Sequence, residues 1–332
     1  MLPGVDDILS FRRAVRTQSF AQKSAVAVNV ENGSRTLRRS LCEKSLPLEN
    51  RKVSTWLGAL FLSTLVLILY APVLGSLARQ WWNDPNYSHG FFVPLFAAYI
   101  LWRERDRWGA QQTRANNSGF AIILGAIGLL VLGTLSAEMF TSRVSLLILI
   151  CGMIVFLAGY ETLRSIAFPI GYLIFMIPLP AIIYYQLTFP LQLLASRLGA
   201  TGLVALGIHT VREGNLLILP NCTLNVVDAC SGIRSLLSLL AGVAAYGYQA
   251  EPKTWKRITL AAVSIPIAIV TNGLRLVATG VLSVLYGPTA DTGLIHLALG
   301  VCFFALAFLS IVLIHKLLRL FAGYHDPAPV YL

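Results

Sequence analysis

Long apolar runs separated by short polar or charged loops decide what this chain can fold into. They lie near residues 53–77, 89–102, 119–137, 143–160, 165–185, 230–248, 257–285 and 293–316. Most reach the roughly 18–20 residues that a helix needs to cross about 30 Å of hydrocarbon. Inside lipid every backbone N–H and C=O must be satisfied within the segment, which selects α-helix for such runs. Only 12% of the residues are charged, against about 25% in a soluble domain. The expected fold class is all-α: a polytopic integral membrane bundle of about eight transmembrane helices.

Two segments fall outside this rule. Residues 186–208 carry Pro190 and a recurring polar set, Gln186, Gln192 and Arg197. They read as an amphipathic helix in the outer interface or a re-entrant segment. Residues 209–228 alternate short apolar stretches around a Pro-Asn turn, which predicts a small extracytoplasmic hairpin. Residues 1–52 are polar and rich in Ser and Arg, and read as a disordered basic cytoplasmic arm. Residues 53–316 form the predicted transmembrane domain and 317–332 a short cytoplasmic tail. Lys and Arg concentrate in the arm and in the loops at 103–114, 161–164, 253–257 and 316–319. The positive-inside rule makes that side cytoplasmic and both termini internal.

The net charge of +11 suggests nucleic acid. The basic residues are instead dispersed through the arm and the short loops, as topology and anionic lipid headgroups require. No zinc-finger spacing, RNA-binding aromatic platform or basic heptad helix occurs, so no nucleic-acid partner is expected. Phosphate loops, dinucleotide fingerprints and HExxH are also missing, and no cofactor or metal is expected. Of the five cysteines, Cys222 and Cys230 share a loop, so an oxidising compartment could pair them, which would silence Cys230.

Three residues stand at one depth in three helices. Cys230 precedes the 249–257 polar stretch by about 20 residues, Arg275 follows Arg257 by 18, and His296 precedes Lys316 by 20. Each spacing corresponds to about 27–30 Å of helix, so all three belong at one membrane face. Cys230 opens a run, and Asp228 could cap that helix, placing the sulfur in its first turn. A helix start and Arg234 would both favour the thiolate. Arg275 costs roughly 2.5–3.5 kcal/mol to insert unless it is paired or hydrated. Asn272 shares its helix face. His296 can carry a proton near neutral pH. Each has a bland alternative: a buried apolar cysteine, an arginine snorkelling to the interface, a histidine hydrogen-bonded for helix packing. Together they suit a nucleophile, an oxyanion stabiliser and an acid. His89, beside Trp81 and Trp82, is a further candidate. A transporter or a lipid- or polysaccharide-export protein is the rival class, since intramembrane Arg and His also mark permeation paths. Clustering at one face, without an inverted repeat, argues against transport.

The segments DACSGIRSLL, TNGLRL and the later His296 resemble the three signature regions of the exosortase/archaeosortase family. SHGFFVPLFAAYILW after Trp82 resembles that family's first outer loop and second span, and IPLPAIIYYQLTFPLQ its Pro-rich middle segment. The likeness covers most of 53–316. It implies a bacterial inner-membrane cysteine transpeptidase, multi-pass, with its active site facing the periplasm. It also implies substrates ending in a Pro-Glu-Pro motif, a transmembrane helix and a basic tail, commonly alongside exopolysaccharide synthesis. Roles carry over as Cys230 nucleophile, Arg275 stabiliser and His296 acid/base. Archaeosortases favour Arg at the third position, so His296 implies the bacterial branch. The arm at 1–52 departs from the family pattern.

Overall fold

The computed structural model describes residues 63–109, 114–226, 232–287 and 293–321. The predicted arm, most of the predicted tail, Asp228 and Cys230 lie outside these residues. The chain divides after Ala71. Of the first unit only the opening of helix α1 (Ser63–Asn83) is described, and everything below concerns the second unit.

The protein is an all-α polytopic membrane protein. After α1 come a 3-10 turn (Pro85–Phe91), α2 (Phe92–Arg103), α3 (Arg105–Gly109), α4 (Ser118–Leu135) and α5 (Met139–Ala158). Short helices α6 (Tyr160–Ser165) and α7 (Ala167–Tyr172) and a 3-10 turn (Leu173–Met176) lead to α8 (Ala181–Ala205). Strands β1 (Val211–Glu213), β2 (Leu216–Ile218) and β3 (Thr223–Asn225) follow, then α9 (Ile233–Ala250), α10 (Thr254–Tyr286) and α11 (Gly293–Phe321). Among the described residues, α1, α4, α5, α10 and α11 are long and apolar enough to cross a membrane. A sixth span is available if the bent pair formed by Ala167–Met176 and Ala181–Ala205 counts as one. Their outward residues are apolar, for example Leu124, Leu132 and Leu135 on α4 and Leu306, Leu309 and Leu313 on α11.

Several expected elements are redrawn. The predicted span at 165–185 is broken at 177–180, and the two halves meet at 76°. Pro178 and Pro180 explain the break: proline lacks an N–H and pushes its predecessor out of the helical region. The segment at 186–208, expected as an interfacial amphipathic helix or a re-entrant segment, is the body of α8, which starts earlier, at Ala181, and holds Pro190 inside it. The run at 89–102 yields a helix of 12 residues, about 18 Å long and too short to span alone. Helix α9, 18 residues long, is amphipathic, because Arg234, Ser235 and Ser238 face a cavity instead of lipid. The expected Trp81–His89 loop is helical: Trp81 and Trp82 close α1, and His89 sits in the 3-10 turn. Glu138 is the N-cap of α5, accepting from Phe140 N and Thr141 N at 3.2 and 2.6 Å.

The expected hairpin gains a strand. β1, β2 and β3 form an antiparallel meander, with Leu217 opposite Arg212 on one side and Leu224 on the other. Leu217, Leu219, Leu224 and Val226 pack on Ala195 and Leu203 of α8 and Leu276 of α10. The meander thus rests directly on the turn of α10 that carries Arg275. Helices α4 and α5 form a tight hairpin: a Cβ on Gly119 would lie 2.3 Å from the backbone of Phe156, so only glycine admits that approach.

Helices α9, α10 and α11 pack through Leu239, Val243, Leu260, Ala268, Ala307 and Ile311. Beyond that core, at the α9–α10 connection, Glu251 is buried. His315 Nε2 lies 2.6 Å from Glu251 Oε1, Tyr246 Oη lies 2.7 Å from His315 Nδ1, and Arg319 and Lys256 pair with the same carboxylate. Burial alone would raise the Glu251 carboxyl, but the His315 hydrogen bond and the charges of Lys256 and Arg319 hold it below the usual range.

Candidate active site

At the other end of α10 the chain gathers a second polar group. Arg275 is 8% exposed. Its Nη2 lies 2.8 Å from His296 Nε2. A guanidinium has only donors, so Nε2 accepts and the imidazole proton sits on Nδ1. The bond joins α10 to α11, two helices whose spacing in the sequence gave only a common depth.

The 3-10 turn brings in a third element. Gly90 fits it against α1, where a Cβ would strike the Trp81 ring at 2.3 Å. Trp81 Nε1 in turn donates to Met176 O at 2.9 Å. His89 Nδ1 lies 3.2 Å from Ser238 Oγ on α9, and Arg234 Nε donates to Asn86 Oδ1 at 3.0 Å. Burial pushes the His89 imidazole below its usual range, against backbone hydrogen bonding that raises it.

A cavity of about 600 Å³ is lined by His89, Arg234, Ser238, Arg275 and His296. Its remaining wall is largely apolar, with Phe92 and Val93 from α2 and Val301 and Phe304 from α11. An apolar cavity with a few convergent polar groups is the usual form of a ligand or active site. Four of the nominated residues thus share one space. Asn272 stands a turn before Arg275 and lines a small adjoining pocket with it.

Cys230 and Asp228 lie outside the described residues, but the chain on both sides is fixed to α10. Val226, before them, packs in the cluster that includes Leu276. Gly232, after them, abuts Asn272, whose Cγ would be 3.0 Å from a Cβ there. Asn272 and Leu276 bracket Arg275 within one helical turn. Helix α9 begins at Ile233 with Gly232 at the N-cap position and no side-chain cap. The expected start at Cys230 with Asp228 capping lies outside the described residues. Gly232 adopts φ +85°, outside the helix and natural only to glycine.

Asn86, Ser235 and Ser238 belong to this site and were not singled out from sequence. Ser238 follows Arg234 by four residues, a spacing that places both on one helix face. Asn86 gave no comparable signal, since its role depends on a turn folding onto a distant helix.

Residues 81–313 match the family described as transmembrane exosortase. No curated protein and no solved structure matches the chain.

Proposed function

We propose that this chain, which belongs to the transmembrane exosortase family, cleaves a sorting segment from exported proteins through a Cys230 thioester. The carrying observation is the 2.8 Å Arg275–His296 bond in the wall of a cavity shared with His89 and Arg234. Support for Cys230 comes from its neighbours. It precedes Gly232 by two residues, and two residues span at most about 7 Å of chain. Gly232 itself abuts Asn272, one turn from Arg275.

The chemistry follows from these groups. The Cys230 thiolate attacks the scissile carbonyl carbon, and Arg275 stabilises the oxyanion in a water-poor site. As the intermediate collapses, the C–N bond breaks, and the leaving amine takes the proton that the Cys230 thiol gave up to His296 when the thiolate formed. An acceptor amine, hydroxyl or water then attacks the thioester. It returns its proton to His296 and releases the thiolate.

The substrates fitting this reading carry a Pro-Glu-Pro motif, a single transmembrane helix and a basic tail at the C-terminus. The helix would enter beside the spans while its extramembrane segment reaches the cavity. The proposed setting is the bacterial inner membrane, with the cavity facing the periplasm, both termini cytoplasmic and residues 53–316 as the catalytic domain. The test is cleavage of a tailed reporter by purified protein in lipid. Cys230→Ala should leave the reporter full-length, and normal cleavage by that variant would rule the scheme out.

A further inference from the structure

A second cavity, of about 330 Å³, backs onto the first. The wall between them is the 3-10 turn: Ser88 and His89 line the Arg275 cavity, while Asn86 and Tyr87 line the other. Asn86 also receives the Arg234 hydrogen bond, so a residue of each cavity is tied to the other.

Arg143 lines this second cavity from the first turn and a half of α5. It is 3% exposed. Its Nη2 reaches Met139 Sδ at 3.6 Å, and its Nε is buried with no hydrogen-bond partner. Two carboxylates share the lining, but both are committed to backbone. Glu138 caps α5 through Phe140 N and Thr141 N, and Asp84 accepts from Asn86 N at 2.9 Å. Among the described residues neither acid forms an ion pair with Arg143. Tyr87, Tyr184 and Tyr185 supply the aromatic wall, with ring centroids 6.1 and 5.6 Å apart along the series.

The Glu138 charge acts on this guanidinium without closing to an ion pair, and a buried Nε left without a hydrogen bond is costly, so near a membrane it marks a place where a partner arrives. Its planar fork suits an anion that accepts two hydrogen bonds. Glu138 and Asp84 line the same cavity and would repel a dianion more than a monoanion, so a single carboxylate fits better than a phosphate. The aromatic rings would flank apolar residues beside that carboxylate. The shared wall gives the source, because a chain lying in the Arg275 cavity needs only to pass the turn to reach Arg143.

We propose that the second cavity is a recognition subsite in which Arg143 binds a carboxylate side chain of the polypeptide substrate while the scissile peptide lies in the Arg275 cavity. The proposal rests on the peptidase reading above, and its test separates the two. A membrane-anchored reporter carries one glutamate in the segment adjoining its helix, and a second reporter carries glutamine there. Binding of each is measured to full-length Cys230→Ala protein in nanodiscs, with and without Arg143→Gln. The glutamate reporter should bind about tenfold to a hundredfold more tightly, and Arg143→Gln should abolish that preference.

In the cleavage arm, Arg143→Gln on the active background should raise KM for the glutamate reporter and leave kcat within a few-fold. Arg143→Glu should regain cleavage when the reporter glutamate is replaced by lysine. A preference that survives Arg143→Gln overturns the proposal. So does equal binding of both reporters by the unsubstituted site, which needs no folding control. Loss of a co-purifying anionic phospholipid in Arg143→Gln, with reporter preference unchanged, would assign the cavity to lipid and overturn it too. If no reporter is cleaved but the Arg143-dependent preference is present, the subsite stands and the peptidase reading fails.

Discussion

Replacing Gly232 with alanine tests the joint between α9 and α10 that brings the Cys230 segment to Arg275. Two costs and one gain apply. Gly232 sits at φ +85°, where an L-residue pays about 1–2 kcal/mol. The new Cβ would lie 3.0 Å from Asn272 Cγ and Nδ2, so the amide must shift by a few tenths of an ångström, costing up to about 1 kcal/mol. Alanine also restricts the unfolded chain, which returns about 0.4–1 kcal/mol. The net expectation is a loss of about 1–2 kcal/mol. Most of the contact part can be isolated with Asn272→Ala, because truncating Asn272 removes the two 3.0 Å contacts and leaves its Cβ at 3.3 Å together with the backbone strain. A double-mutant cycle by equilibrium unfolding in detergent should therefore give a coupling of about 0.5–1 kcal/mol. Cleavage should fall in Gly232→Ala by more than stability does, since the displaced segment carries the nucleophile. A coupling below about 0.3 kcal/mol would refute the packing of Gly232 on Asn272 and with it the approach of Cys230 to Arg275.

Arg275→Lys keeps the charge but loses the planar fork, and kcat should fall by about a hundredfold or more in the reporter assay; near-normal kcat would remove the oxyanion role. Ser238→Ala takes away the 3.2 Å partner of His89 and should lower kcat/KM by about fivefold, with His89→Ala at least as severe; an unchanged His89→Ala enzyme would exclude that residue from the site. Glu251 is held below the usual carboxylate range, so its contribution to stability is full above about pH 4.3 and is lost as pH falls through the folded value. Unfolding measured across pH should thus show Glu251→Gln less stable than the natural protein at pH 7 and flatter below about pH 4.3; parallel curves would contradict the network.

The sequence made the membrane fold legible because lipid imposes one rule on every apolar run. Helices α4, α5, α10 and α11 begin and end within a few residues of the expected spans. The rule fails where protein, not lipid, is the neighbour. Helix α9 has too many polar residues to read cleanly as a span because its polar face lines a cavity. The break at 177–180 was obscured because the flanking residues remain apolar on both sides of Pro178 and Pro180. For the site, counting residues from the basic loops gave depth, and depth sufficed to pair Arg275 with His296. Direction around each helix was not available from depth. Arg143 therefore read only as the first residue of the run at 143–160, although an arginine whose nearest acid in sequence, Glu138, serves as a helix cap is a signal of a charge without an ion pair.

The most direct measurement is interception of the acyl-enzyme. Purified protein in lipid is mixed with tailed reporter, quenched, and analysed by mass spectrometry, with a parallel sample treated with hydroxylamine. A reporter fragment linked to Cys230, released by hydroxylamine as its hydroxamate and missing from Cys230→Ala, is the expected result. A fragment attached elsewhere, or reporter cleaved by Cys230→Ala, would contradict the account.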